Sequence, residues 1–188
     1  MMKLFMVLIG CKPPGRRTEQ HDVFFGIGQS MNDLIPDILS SWPETGGKMH
    51  FDAWREVTEV DGYAVQVLER TVDPLPPGDA RLFFINLGGY KQGEFEEFHY
   101  KMLAASPTKS IAIDQAKHTA FFRHTGFADA HSHIDDKYGI DVDDIYEIED
   151  ILPAAHRKQF RVVVAKSPVP IPADEIHLGY FKLNSFGK

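Results

Sequence analysis

The chain has 188 residues and a formal net charge of −7, with 43% hydrophobic and 25% charged residues, an ordinary composition for a globular protein. This acidic balance argues against non-specific nucleic-acid binding, which depends on lysine and arginine neutralising phosphates. The longest apolar run, Leu4–Ile9, is far below the roughly 20 residues of a membrane-spanning helix. The single cysteine, Cys11, excludes an internal disulfide, and we expect a cytoplasmic protein.

The first part of the chain alternates predicted strands with one helix. The continuous apolar run Leu4–Ile9 is typical of a buried strand, and a second strand is predicted from His21 to Ile27. Apolar residues then recur at helical spacing from Met31 to Trp42. Two further strands are predicted, at His50–Val60 and at Tyr63–Leu68, the latter from its alternating pattern. The predicted unit is therefore β-β-α-β-β.

The second part of the chain repeats the first at a distance of 78 residues. At this distance Lys3–Gly10 falls on Arg81–Gly88, and such self-similarity indicates a tandem repeat. Strands are accordingly predicted at Leu82–Leu87 and Tyr100–Ala105, followed by a helix from Ser106 to Phe122. The other matched pairs are Gly15 with Gly93, Glu19 with Glu97, and His21 with His99.

Beyond the helix the two parts match at a distance of 83 residues instead. Strands near His133–Tyr138 and Ile145–Ile148 would complete the second unit. The pairs matched at this distance are His50 with His133, Asp52 with Asp135, Asp61 with Asp144, and Tyr63 with Tyr146.

These patterns predict an α+β protein in which two tandem β-β-α-β-β repeats, related by pseudo-twofold symmetry, form one compact body. We expect antiparallel or mixed sheets and one helix per repeat, because a unit of roughly 70 residues would be marginally stable alone. The predicted boundaries are residues 1–71 for repeat 1, 72–80 for a proline-rich linker, 81–152 for repeat 2 and 153–188 for a C-terminal extension with two further strands.

The phrase that runs from Gly10 through Gly15 to Glu19-x-His21, and its echo from Gly88 to Glu97-x-His99, resembles an uncharacterised bacterial family, domain of unknown function 1543. Members of that family carry one or two copies of the domain, and the resemblance covers about residues 1–152. It implies a duplicated domain and no established activity.

The repeated Glu-x-His is the strongest candidate for a functional site. Glu19 and His21 are two residues apart and share one face of an extended segment, as do Glu97 and His99. If the repeats pack about a twofold axis, the two pairs could form a His₂Glu₂ site for a divalent transition metal, with His21 and His99 as ligands. Three readings stay open for these residues: a structural latch, metal or ligand binding, and acid–base catalysis. Behind them stand four second-tier candidates, which are His50, Asp52, His133 and Asp135.

Two hypotheses for function follow. In the first, the protein is a binding module that accepts a small molecule or a protein partner between the two repeats. In the second, it is a divalent-metal-dependent enzyme. The second rests on a shifted frame in which the first strand of repeat 2 completes a β-α-β-β-β module, an order similar to the vicinal oxygen chelate fold. A homodimer through edge strands is also expected.

Overall fold

The structure, a computed structural model, describes residues 1–71, 78–90, 93–118 and 140–186. In these ranges the chain is an α+β protein of antiparallel sheets and short helices, which confirms the predicted class. None of the helices in the described ranges has the length and apolarity needed to cross a bilayer.

Ten strands and four α-helices form the described part of the fold. The strands are β1 (Lys3–Cys11), β2 (Gln20–Gly28), β3 (His50–Glu56), β4 (Glu59–Val60), β5 (Tyr63–Glu69), β6 (Arg81–Tyr90), β7 (Glu97–Ser106), β8 (Ile140–Glu147), β9 (Phe160–Lys166) and β10 (His177–Lys182). The helices are α1 (Ile35–Ser41), α2 (Lys109–Lys117), α3 (Ile148–Ile151) and α4 (Ala154–Gln159). The prediction of one helix per repeat is wrong for residues 81–152, because the short helix α3 follows β8 in addition to α2.

The first sheet has the strand order β10-β3-β1-β2, and all its pairs are antiparallel. Strand β1 is buried on both faces because its apolar run is continuous. Phe5, Val7 and Ile9 belong to the core that includes Leu34 and Ile38, beneath helix α1. The alternate residues of β1 form the other face, which we call the inner face of this sheet.

The second sheet has the order β7-β6-β8 and is also antiparallel. Its strands are paired in the same register as β2, β1 and β3 of the first sheet. Gly10 in β1 pairs with His21 on one side and with His50 on the other. Gly88 in β6 pairs with His99 and with Asp141 in the same way. The equivalent glycines of the predicted repeat thus hold equivalent places in the two sheets.

Strands β3 and β8 each carry a register shift at the same level. The shift leaves Asp52 without a direct partner in β1, and it leaves Asp143 without a direct partner in β6. One extra residue in a strand bends the strand locally and redirects its side chain. Asp143, which lies 91 residues after Asp52, therefore takes the place of Asp52 in the second sheet.

The predicted correspondence at 83 residues is wrong where it can be compared. Asp61 lies in the turn between β4 and β5 with φ 55°, whereas Asp144 pairs with Asn86 inside the second sheet. The match of Tyr63 with Tyr146 fails with it, because Tyr63 belongs to the third sheet. The predicted strand near His133–Tyr138 lies outside the described residues.

A third sheet, β4-β5-β9, joins the end of repeat 1 to the segment after residue 152. Strand β9 pairs along the whole length of β5, so the segment after residue 152 does not stand apart from the repeats. The shifted chelate-type frame is not the observed arrangement, because β6 lies at the centre of the second sheet rather than completing the first.

The inner faces of the first and second sheets pack against each other. One hydrophobic cluster contains Leu4 and Phe25 from the first sheet together with Phe84 and Leu103 from the second. The rings of Phe25 and Phe84 have centroids 5.4 Å apart. Burial of each large side chain contributes roughly 1.5–3 kcal/mol, so this shared core ties the two sheets together.

Candidate functional site

Four predicted side chains converge at one end of the first sheet, and we call them the first cluster: Glu19, His21, His50 and Asp52. His21 Nε2 lies 3.2 Å from Asp52 Oδ2 and 3.8 Å from Glu19 Oε2. His50 Nε2 lies 3.2 Å from Asp52 Oδ1 and 3.4 Å from Glu19 Oε1. Each imidazole nitrogen therefore faces both carboxylates.

The geometry inside the first cluster is not that of ordinary hydrogen bonds. Asp52 Oδ2 is buried and accepts no hydrogen bond from the described residues, although His21 Nε2 lies 3.2 Å away. A buried carboxylate oxygen without a partner is costly. His21 Nε2 thus lies close to this oxygen without donating a hydrogen bond to it, which leaves Oδ2 available to a further donor or to a cation.

Gly10 makes room for this cluster. A Cβ at this position would collide with Asp52 Oδ2 and would lie 2.5 Å from His50 Nε2. Real Cβ atoms do not approach other heavy atoms so closely, so any larger residue would displace the two side chains. Glycine is needed here to leave space for neighbouring side chains and not to form a turn, because β1 is regularly paired on both sides at Gly10.

The C-terminal strand covers one side of the first cluster. The Tyr180 ring of β10 stacks on the His50 imidazole, with centroids 4.2 Å apart and planes at 27°. The His50 side chain is 9% exposed, whereas those of His21 and Glu19 are 41% and 45% exposed. The cluster is therefore closed at His50 and open to solvent at His21 and Glu19.

A second cluster lies at the matching end of the second sheet and consists of Glu97, His99 and Asp143. One potential ligand atom from each side chain lies within 4.8 Å of the others. His99 Nε2 is 3.3 Å from Asp143 Oδ2. A Cβ on Gly88 would collide with the Asp143 carboxylate, so this glycine has the same spatial role as Gly10.

The two Glu-x-His pairs therefore each meet a carboxylate of the third strand in their own sheet. The structure brings Glu19 and His21 together with two second-tier candidates, His50 and Asp52. The other two second-tier candidates, His133 and Asp135, lie outside the described residues. A single His₂Glu₂ site made from both pairs stays a prediction.

Both clusters belong to the inner faces of their sheets. Gly10 and Leu8 alternate along the inner face of β1, and their partners in β2 are His21 and Val23. Directly paired residues point to the same side of a sheet. The first cluster therefore adjoins the region where the two sheets meet.

Cys11 is buried beside the first cluster and is not suited to nucleophilic chemistry. Burial raises the pKa of its thiol, and the negative charge of Glu19 raises it further. A raised pKa reduces the thiolate fraction, which is the reactive form. This agrees with the repeat, in which Gly89 stands where the first unit has Cys11.

Sequence reasoning missed Tyr180 and Asp143 as members of these sites. Tyr180 has no counterpart in the repeat, and its position depends on the pairing of β10 with β3. Asp143 lies in an acidic segment that reads equally well as a solvated strand face. The shared glycines Gly10 and Gly88 were the available signal, because a repeated glycine in an apolar strand indicates a close approach.

Comparisons with known proteins agree with this architecture. Residues 16–67 match the family model described as Domain of Unknown Function (DUF1543), a segment that contains the whole first cluster. The chain is also similar in fold to the crystal structure of protein Il1583 from Idiomarina loihiensis, with a TM-score of 0.64 and 21% sequence identity. That alignment covers 98% of this chain and 99% of the other. A search of curated proteins gave no match.

Proposed function

We propose that the protein is a small-ligand binding protein that holds a divalent transition metal in its first cluster, beside the junction of the two sheets. The observation that carries this proposal is the buried Oδ2 of Asp52, which accepts no hydrogen bond from the described residues and lies 3.2 Å from His21 Nε2, in a cluster that offers two imidazoles and two carboxylates. Imidazole with carboxylate is a donor set suited to Zn²⁺, Mn²⁺ or Fe²⁺.

The second cluster supplies a weaker site in the same proposal. It offers one imidazole and two carboxylates from exposed residues, so solvent competes more effectively for any bound ion. The matched registers around Gly10 and Gly88 support an origin of the two sheets in two tandem copies of one domain, related by pseudo-twofold symmetry. We place the protein in the cytoplasm, where its single buried cysteine would remain reduced.

Metal analysis of the purified protein tests the proposal. We expect about one equivalent of tightly held transition metal, lost on His21→Ala or His50→Ala substitution and retained on His99→Ala. His177→Ala is the matched control, because His177 also lies near a carboxylate but stacks on Trp54 outside the first cluster. Metal-free protein that fails to bind added Zn²⁺ or Mn²⁺, and whose His21→Ala variant only melts at a lower temperature, would establish the structural latch instead.

A metal-dependent enzyme is the second candidate, and the exposure of Glu19 and His21 favours it. A catalytic metal keeps a coordination position open for substrate, whereas a structural metal is fully enclosed. Cobalt-substituted protein whose visible spectrum shifts on adding acetohydroxamate would have such an open position. An unchanged spectrum would argue against a catalytic metal.

A further inference from the structure

An apolar groove lies between the inner face of the first sheet and strand β7. Its volume is about 400 Å³, within the range of small-molecule pockets. Met6, Leu8 and Val23 line it on one side, and Leu103 lines it on the other. The groove lies two residues along the inner face from the first cluster, and the two features do not share a residue.

Two cationic side chains lie in this apolar groove. Arg55 pairs with Met6 in the register of the first sheet, which places it on the inner face. Lys101 pairs with Asn86 on the inner face of the second sheet. Both residues line the groove and are only partly exposed.

Within the described residues, neither cation has an ion pair or a hydrogen bond from its side chain. Burial lowers the pKa of Lys101, with an opposing influence from the charge of Asp22. Burial likewise lowers the pKa of Arg55, with opposing influences from Asp174, Glu59 and Tyr100. Partly buried cations without a contacting anion are unfavourable in the free protein.

We propose that this groove binds a small organic anion, with its apolar body against the aliphatic side chains and its acidic group between Arg55 and Lys101. The two cations would recognise the acidic group of the ligand, and the apolar lining would recognise its hydrocarbon part. Two cations contributed by different sheets would fix the acidic group at the junction of the sheets. This site is independent of the metal proposed for the first cluster.

Calorimetric titration of protein freed of metal by a chelator tests the proposal. We expect octanoate to bind, and we expect 1-octanol and acetate to bind at least about tenfold more weakly, because each lacks one half of the recognition. Lys101→Met and Arg55→Met should each reduce octanoate affinity about tenfold or more and leave 1-octanol unaffected. Lys48→Met is the matched control, because Lys48 is exposed and lies outside the groove.

Thermal melting separates ligand recognition from a structural role. Removing a partly buried, unpaired charge should raise the melting temperature of the free Lys101→Met protein, whereas a residue that stabilises the fold would give the opposite change. Lys101→Gln repeats the test with a polar side chain should the methionine variant fail to fold. Equal binding of octanoate and 1-octanol, no binding of octanoate, or unchanged affinity in both Lys101 variants would overturn the proposal. Because the titration uses metal-free protein, such a result leaves the metal proposal standing.

Discussion

At the scale of single residues, the absence of a side chain at position 10 decides whether the first cluster can form. The cluster needs two side chains from β3 to lean across β1, and only glycine leaves that space. The Glu-x-His pairs attract attention first in the sequence. Gly10 and Gly88 identify the two sites as specifically as those pairs do, because each glycine lies directly beneath a carboxylate.

Gly10→Ala should therefore weaken metal binding by the first cluster. The added methyl group would push His50 and Asp52 apart while leaving the backbone pairing of β1 possible. We expect about a ten- to hundredfold loss of affinity, in line with the removal of the support of metal ligands, measured by titration of chelator-treated protein with Zn²⁺. Gly88→Ala is the matched control, and it should affect only the weaker second cluster. Equal loss in both variants would contradict separate sites.

At the scale of elements, the candidate site is built from strands that are distant in sequence. His21 and Glu19 could be predicted to share a face because a strand alternates with period two. Asp143 could not be assigned in this way, because a one-residue register shift moves a side chain to the other face. The shift in β8 depends on its pairing with β6, which local sequence does not specify. The helix count in residues 81–152 failed for a related reason, since α3 is too short to show a helical period.

Strand β10 should act as a cover for the first cluster. Tyr180→Ala removes the ring that stacks on His50, so we expect a bound metal to be removed by EDTA several times faster than from the unsubstituted protein. Leu178→Ala is the control, because Leu178 lies on the same strand and is 76% exposed. Equal removal rates in the two variants would show that the stacking does not shield the site.

At the scale of the whole molecule, the two sheets depend on each other for burial. The mixed α+β class was predictable from composition and periodicity. It was also predictable that two units of this size would bury apolar side chains against each other. The role of β9 was not predictable, because its pairing with β5 connects segments nearly 100 residues apart. The predicted homodimer and the twofold symmetry stay predictions.

Phe84→Ala should destabilise the entire chain rather than one sheet. Phe84 is 8% exposed, packs against Phe25 and belongs to the core shared by both sheets. We expect a loss of about 3–5 kcal/mol in the free energy of unfolding, measured by urea denaturation with one cooperative transition. Phe95→Ala is the control, since Phe95 is fully exposed and should change stability by less than about 0.5 kcal/mol. Two separate transitions would show that the sheets unfold independently.

The stacking of Tyr180 on His50 has a consequence for the order of events during synthesis. All four donors of the first cluster lie between Glu19 and Asp52, whereas Tyr180 emerges from the ribosome 128 residues after Asp52. Contacts between such distant segments form late in folding. A nascent chain could therefore capture its ion while the donors are still accessible, and strand β10 would then enclose it. The time at which the metal enters would be set by the position of one tyrosine in the chain.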